Sequence, residues 1–126
     1  MMENLYKIDI NVQTQYIEQQ STPSLGKYVF SYTVIIKNTG KIPAKLVSRH
    51  WVIADANGKT EEVKGLGVIG EQPRLMTDES FQYTSGTVLD SPVGSMHGSY
   101  QMIADNGYEF EAKIPLFTLN TPKILN

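Results

Sequence analysis

Apolar and polar side chains alternate along most of this chain, and no stretch repeats with the period of an α-helix. The longest alternating row spans 28–37 and has an aromatic or branched apolar side chain at every second position, namely Tyr28, Phe30, Tyr32, Val34 and Ile36. A period of two places successive side chains on opposite faces of an extended strand. The pattern predicts a fold made of β-strands, each with one face on a core and the other in water.

Turn signals divide the alternating segments into seven or eight strands, at a spacing of roughly 8–12 residues that is typical of an antiparallel sandwich. Two hairpins are indicated by Asn57-Gly58 and Asn106-Gly107, because an Asn-Gly pair readily adopts the positive φ angles of a two-residue turn. The segments that alternate or pair across these turns are 6–13, 28–37, 45–55, 59–64, 80–89, 100–104 and 108–114. A loop is predicted at 90–94, a flexible segment at 94–98, and an extension of the last strand at 117–120.

Two aromatic residues favour one kind of sandwich. Trp51 lies on the third predicted strand, where immunoglobulin-like domains place a buried tryptophan, and Tyr100 resembles a tyrosine-corner residue at the start of a strand. The bridging cysteines of antibody domains are missing, which favours the fibronectin-like branch. We predict an all-β, immunoglobulin-like or fibronectin type III-like antiparallel sandwich, forming a single domain over residues 1–126 with its core at about 5–120.

The composition limits the classes of protein to which the chain can belong. Hydrophobic residues make up 40% and charged residues 19% of the 126, the balance of a chain that folds unaided. There is no cysteine, so disulfides, thiolate metal sites and thiol nucleophiles are excluded, and we expect a cytoplasmic location. Neither a leader nor an apolar membrane span is indicated, and the net charge of −2 argues against a dedicated nucleic-acid binder.

The segment GLGVIG, with Gly65, Gly67 and Gly70, spells the G-x-G-x-x-G fingerprint of dinucleotide-binding folds. That fingerprint needs a helix after the third glycine, and EQP follows instead, so no Rossmann-type site is expected. Two interpretations stay open. The glycine backbone could turn N–H groups towards phosphate or pyrophosphate, with Lys64 and Arg74 beside it. Alternatively, the glycines serve a bulged turn that requires positive φ angles.

Arg49, His50 and Trp51 form a second group of candidate residues. Strand alternation places Arg49 on the face of Trp51 and His50 on the opposite face. Arg49 either holds an anionic ligand or is structural, with its stem on the indole ring and its guanidinium against a carboxylate. His50 and His97 match no metal-ligand spacing, and no serine has a histidine base marked for it. We therefore expect no metal site, no cofactor and no catalytic residue.

The motifs together resemble those of the bacterial ApaG family over about residues 5–120: RHW at 49–51, NG at 57–58, GLGVIGEQP at 65–73 and GSMHGSY at 94–100. The resemblance implies a fibronectin type III-like sandwich. Related domains lie at the C-terminal end of certain F-box proteins and of a polymerase-delta-interacting protein, where the implied role is contact with another protein. The resemblance also implies a link with cobalt and magnesium tolerance and a suggested pyrophosphate site at the glycine loop.

We predict a non-enzymatic binding module whose partner is an unidentified protein. One alternative is binding of phosphate, pyrophosphate or a nucleotide through the glycine-rich loop, with candidate ligands Gly65, Gly67, Gly70, Lys64, Arg74 and Arg49. Another is a role in divalent-cation tolerance. Exposed edge strands could also pair copies of the chain, unless charges such as Lys7 and Glu62 prevent it.

Overall fold

The computed structural model describes residues 4–122, most of which lie in eight β-strands. The strands are β1 (Ile8–Tyr16), β2 (Tyr28–Asn38), β3 (Ala44–Asp55), β4 (Thr60–Leu66), β5 (Arg74–Leu75), β6 (Ser80–Leu89), β7 (Val93–Ala104) and β8 (Glu109–Asn120). Two 3-10 helices, Glu18–Gln20 and Pro23–Leu25, lie between β1 and β2. Within this part of the chain no helix is long and apolar enough to cross a membrane. The ends of the predicted domain, 1–3 and 123–126, lie outside the described residues.

The strands form two antiparallel sheets that face each other across the core. One sheet has the order β1-β2-β6, and the other has the order β4-β3-β7-β8, with the short β5 paired to the start of β3. Both predicted Asn-Gly hairpins form, with φ of +85° at Gly58 and +89° at Gly107. The prediction of an all-β antiparallel sandwich with seven or eight strands is confirmed.

The inward rows of the two sheets meet in one hydrophobic core. Every second residue of β2 from Phe30 to Ile36 is buried, as the alternation predicted. Trp51 on β3 is buried as well, and its rings lie edge-on to Tyr32 of the opposite sheet, with ring centroids 5.4 Å apart. Trp51 therefore joins the two sheets, in agreement with the prediction that it is a core residue.

Tyr100 also joins the sheets, but it is not a tyrosine corner. It lies in the middle of β7 rather than at its start, and its hydroxyl forms a 2.6 Å hydrogen bond with the hydroxyl of Tyr83 on β6. A tyrosine corner would bond the main chain instead. Burial raises the pKa of Tyr83 to about 12 and also raises the pKa of Tyr100, because a phenolate would lose its hydration there.

The segment 94–98, predicted as flexible, lies within β7. Its glycines allow close packing rather than mobility: a Cβ atom on Gly98 would lie 2.0 Å from the carbonyl oxygen of His50 on β3. The prediction of a loop reaching to position 94 was also wrong, because β7 begins at Val93. The predicted extension of the last strand is confirmed, since β8 continues past Pro115 to Asn120 at the edge of its sheet.

The two long sides of the sandwich differ. On the closed side, β1 and β8 lie against each other, and the ring of Tyr6 stacks on that of Tyr108 with 4.2 Å between centroids. The hydroxyl of Tyr6 accepts a 2.7 Å hydrogen bond from the side-chain amide of Asn106. On the open side, the edge strands β4 and β6 leave a groove of about 610 Å³ between them. This groove, called the open groove, is bordered by residues of both sheets.

Candidate binding site

The open groove has an apolar floor and rims formed by edge strands. Tyr32, Trp51, Ile53 and Val63 contribute the apolar surface, and one cation and one anion, Arg49 and Glu61, border it. The β6 rim and the nearby end of β2 contribute Ser85, Gly86, Thr87, Val88 and Val29. The groove therefore combines aromatic and aliphatic surface with two charges of opposite sign.

Strand register explains why the groove is open. Trp51 lies opposite Val63 and Ile53 lies opposite Glu61, so the inward row of β3 continues onto β4. On the other sheet, Tyr32 lies opposite Ser85, and the next residue of β6 is Gly86. Because Ser85 is small and lies in the inward row of β6, β6 supplies little side-chain volume over the floor beside Tyr32. The predicted separation of Glu61 and Glu62 onto opposite faces is confirmed, since Glu62 bonds His50 on the outer face.

Arg49 fixes the end of the open groove through the main chain of the glycine segment. Its Nη1 atom donates to the carbonyl oxygens of Leu66 at 3.0 Å and Gly67 at 2.9 Å. The guanidinium lies over Gly65, where an added Cβ would be 2.8 Å from Nη1. The prediction that Arg49 lies on the face of Trp51 is confirmed, but the prediction that its guanidinium bonds a carboxylate is wrong. Two carbonyls, which no sequence pattern marks, accept its hydrogen bonds instead.

The glycine segment forms a tight turn. Main-chain hydrogen bonds of 2.8 and 2.9 Å join Val68 and Glu71, and φ is +43° at Ile69 and +79° at Gly70. Gly67 has a φ of +61°, and its N–H donates to the carbonyl oxygen of Val47 at 2.8 Å. The interpretation that glycines serve positive φ angles is confirmed at Gly67 and Gly70. The N–H groups of Gly67, Val68 and Glu71 all bond carbonyls within the chain.

The six predicted anion ligands are not all brought together. Arg49, Lys64 and Gly65 line a second groove of about 500 Å³, called here the polar groove, with Ser48, His50, Leu66 and Gln101. Gly67 is buried behind it, and Gly70 lies at the exposed tip of the turn. Arg74 lies on β5 and forms an ion pair with Asp105, whose hydrogen bond raises the pKa of Arg74. Anion binding stays a prediction, and the candidate ligands that lie together are Arg49, Lys64 and Gly65.

The histidines share the outer face of the β4-β3-β7-β8 sheet. His50 lies opposite Ser99 and His97 lies opposite Val52, so the two are diagonal neighbours on adjacent strands. The Nε2 atom of His50 lies 2.9 Å from a carboxylate oxygen of Glu62. Between residues 4 and 122, no group of three or more histidine, aspartate or glutamate side chains could hold a metal ion. The sequence spacing of His50 and His97 did not predict that they are neighbours, because their proximity depends on strand pairing.

The sequence analysis also missed the β6 residues that border the open groove. Ser85 was considered only as a nucleophile and set aside for want of a histidine base, and Gly86 and Val88 carry no chemistry that a motif search detects. One signal was available: β6 reads SFQYTSGTVL, a ten-residue strand without a charged residue. An uncharged strand is expected in the middle of a sheet, and here it lies at an edge.

The chain matches known proteins over nearly its whole length. The family profile described as DUF525, ApaG domain, matches residues 18–104. Protein ApaG of Nitrosospira multiformis is 53% identical over 96% of this chain and 95% of that protein. Protein ApaG of Thiobacillus denitrificans is 54% identical with the same coverage. Among solved structures, a Bordetella pertussis protein described as ApaA is 46% identical, with a TM-score of 0.92 over 94% of this chain and 97% of that one.

Proposed function

The chain belongs to the ApaG family, and we propose that it is a non-enzymatic binding module that holds a segment of another protein in the open groove. The observation that carries the proposal is the groove itself. Its volume of about 610 Å³ is as large as that of many pockets that hold small ligands, which span roughly 300–1,000 Å³, so it has room for one or two side chains of a partner. Its floor of aromatic and aliphatic side chains suits the apolar residues of a polypeptide.

The charges at the groove favour a partner segment with a defined direction. Glu61 lies opposite Ile53, which is four residues along β3 from Arg49. At about 3.3 Å per residue, the main-chain positions of Arg49 and Glu61 lie roughly 13 Å apart along the strand direction. A short extended segment with an acidic group near Arg49 and a basic group near Glu61 matches this spacing. Between these groups, one or two apolar side chains would contact Ile53 and Val63.

The strand order supports a finer classification of the module. β1, β2 and β6 take the positions of strands A, B and E of an immunoglobulin-type sandwich, and β4, β3, β7 and β8 take those of C′, C, F and G. We propose a fibronectin type III-like or immunoglobulin-like module on this basis. The proposed location is the cytoplasm, because a chain without cysteine has no need of an oxidising compartment.

A matched pair of substitutions tests the groove. Val88 borders the groove and is 57% exposed, whereas Leu116 on β8 is 61% exposed and does not border it. The tagged protein is used to isolate its stoichiometric partner from the producing cell, and the affinity is then measured with both proteins purified. We expect Val88→Glu to raise Kd at least about tenfold and Leu116→Glu to leave it unchanged. Equal effects of the two substitutions, or no stoichiometric partner, would remove the proposal.

The polar groove favours anion binding as a second candidate function. It brings the ammonium group of Lys64 and the guanidinium of Arg49 to the same opening, with His50 beside them. Isothermal titration calorimetry with pyrophosphate and with a dinucleoside polyphosphate tests this function. We expect Lys64→Met to abolish the heat of binding and Lys37→Met, on the other sheet, to retain it. Flat traces from the unmodified chain at about millimolar ligand would exclude this candidate.

A further inference from the structure

Among residues 4–122, the two sheets have four long edge strands, β1 and β6 in one sheet and β4 and β8 in the other, and the two-residue β5 also lies at the edge of the second sheet. An edge strand presents unpaired N–H and C=O groups, which proteins protect with charges, proline or bulges. β4 carries Glu61, Glu62 and Lys64, and β8 carries Pro115 and a register shift opposite it. β1 lies against β8 on the closed side. These three edges are therefore protected.

β6 is the exception. Its ten residues include no charged residue and no proline, and it pairs with β2 in one continuous register without a bulge. Its outward row includes Val88, which is 57% exposed. Among residues 4–122, no strand pairs with its second edge. A strand that is long, regular and uncharged at an edge has the features of a strand that is completed by another chain.

The hydrogen-bonding pattern identifies the groups on the free edge. At the end of β2, the N–H of Asn38 donates to Glu79 on the β6 side at 3.0 Å, and the N–H of Thr39 donates to Lys7 on the β1 side at 2.9 Å. Residues of an antiparallel strand bond alternately to one neighbour and then the other. In β6 the odd-numbered residues therefore bond β2. The N–H and C=O groups of Gln82, Thr84, Gly86 and Val88 point to the free edge.

We propose that β6 pairs antiparallel with β6 of a second copy of the chain. This pairing joins two β1-β2-β6 sheets into one continuous sheet of six strands about a two-fold axis. Another β-strand is the occupant that matches a row of alternating N–H and C=O groups. A strand that pairs with its own copy sets its residues against one another, and like charges in facing positions are destabilising. β6 avoids that repulsion in every register because it has no charge.

The neighbouring row supports the same occupant. The outward residues of β2 beside β6 are uncharged from Val29 through Ser31 and Thr33 to Ile35, and the one charge of the row, Lys37, lies at its end opposite Ser80. A copy of β6 would extend this row with side chains of the same kind. The added strand continues the β1-β2-β6 sheet, so it lies beside the open groove and leaves the floor at Trp51 in place. Both associations use β6, and Val88 borders both. Self-association is measured on the purified chain alone and partner binding on the complex, so a failure of one is distinguishable from a failure of the other.

Sedimentation equilibrium of the full chain from about 10 µM to about 1 mM tests the proposal. We expect a reversible monomer–dimer equilibrium. Gln82→Pro removes one free-edge N–H without removing a bond to β2, since an edge strand tolerates proline where its N–H faces solvent. The matched control, Gln82→Val, keeps that N–H. Gln82→Pro should shift the equilibrium to monomer, with an unchanged circular dichroism spectrum, and Gln82→Val should not.

Cysteine cross-linking provides an independent readout, because the chain has no cysteine of its own. Single cysteines are placed at Gln82, Thr84 and Val88 on β6, and a control is placed at Gln13 on β1. Facing strands bring Cα atoms within the roughly 4.4–6.8 Å that a disulfide spans, so the cysteine nearest the two-fold axis should form a covalent dimer on oxidation. A monomer at every concentration, a dimer that survives Gln82→Pro, or equal cross-linking through Gln13 would overturn the proposal.

Discussion

The closed side and the open side of the sandwich use different interactions. On the closed side, the chain supplies its own cover: Tyr6 stacks on Tyr108, contacts Phe110 and bonds Asn106. On the open side, no aromatic cluster of this kind joins β4 to β6 in the part of the chain that the structure describes. Hydrogen bonds from Arg49 to the main chain hold one end of the groove and leave the half-buried side chains of Ile53 and Val63 accessible to solvent.

This difference separates stability from binding. Apolar rings that pack against each other stabilise the fold but leave no surface for a partner. Main-chain hydrogen bonds at the end of a groove define its shape without filling it. Substitutions on the closed side are therefore expected to change the free energy of unfolding, and those on the rim of the open groove are expected to change affinity.

The largest effect is expected where the open side depends on a glycine. A Cβ atom at Gly67 would lie 2.2 Å from the carbonyl oxygen of Glu71, at a φ of +61°. We expect Gly67→Ala to lower the free energy of unfolding by at least about 3 kcal/mol in urea denaturation. Gly70 has a φ of +79° but open space around it, so Gly70→Ala should cost only about 1 kcal/mol. Equal losses would mean that backbone conformation alone, and not the close approach, fixes the turn.

On the closed side, Tyr6→Ala should lower the free energy of unfolding by about 2 kcal/mol, because it removes two ring contacts and a hydrogen bond. Urea denaturation measures the loss, and Tyr6→Phe should recover most of it. The affinity for the purified partner should not change. A loss of affinity with unchanged stability would reverse the roles assigned to the two sides.

Alkaline pH should weaken the hydrogen bond between Tyr83 and Tyr100, which joins the two sheets. The pKa of Tyr83 is raised from 10.0 to about 12, and that of Tyr100 is raised as well, chiefly through burial. The folded chain therefore keeps protons that the unfolded chain loses above pH 10. The free energy of unfolding has its full value below that pH and falls above it. The expected slope is about 1.4 kcal/mol per pH unit for each tyrosine. Thermal melting from pH 9 to 11.5 should show a shallower decline for Tyr83→Phe.

The smallest effect on stability is expected at the rim of the open groove. Val88 is exposed, so Val88→Ala should change the free energy of unfolding by less than about 0.5 kcal/mol. The same substitution should still weaken binding of the partner, because it removes apolar surface beside the groove. A stability loss like that of Tyr6→Ala would mean that Val88 belongs to the core and that the two sides do not differ as described.

Much of the fold could be predicted because it follows from local patterns. Alternation over 28–37 gave the buried face of β2, and the two Asn-Gly pairs gave both hairpins. The segment 94–98 was misjudged because glycine has two uses. It permits unusual φ angles, and it permits close approach of another strand, as at Gly98 against His50. Sequence alone does not distinguish these uses, since the second depends on a residue far away in the chain.

The candidate site was less predictable for the same reason. The face of Arg49 follows from alternation with Trp51, but its acceptors are carbonyls of Leu66 and Gly67, which any residue type could supply. The open groove exists because Ser85, a small inward residue of β6, lies opposite Tyr32 on the neighbouring strand β2. Such a space is a property of pairing between distant segments. Residue identity indicates it only after the strand order is known.

The bond between Arg49 and the glycine segment has one more consequence. A guanidinium keeps its proton throughout the physiological pH range, and main-chain carbonyls do not titrate at all. The end of the groove therefore has the same shape in an acidified cell as in a neutral one. If complex formation varies with cellular acidity, the sensor belongs to the bound segment or to another part of the chain, and not to the bond that shapes the end of the groove.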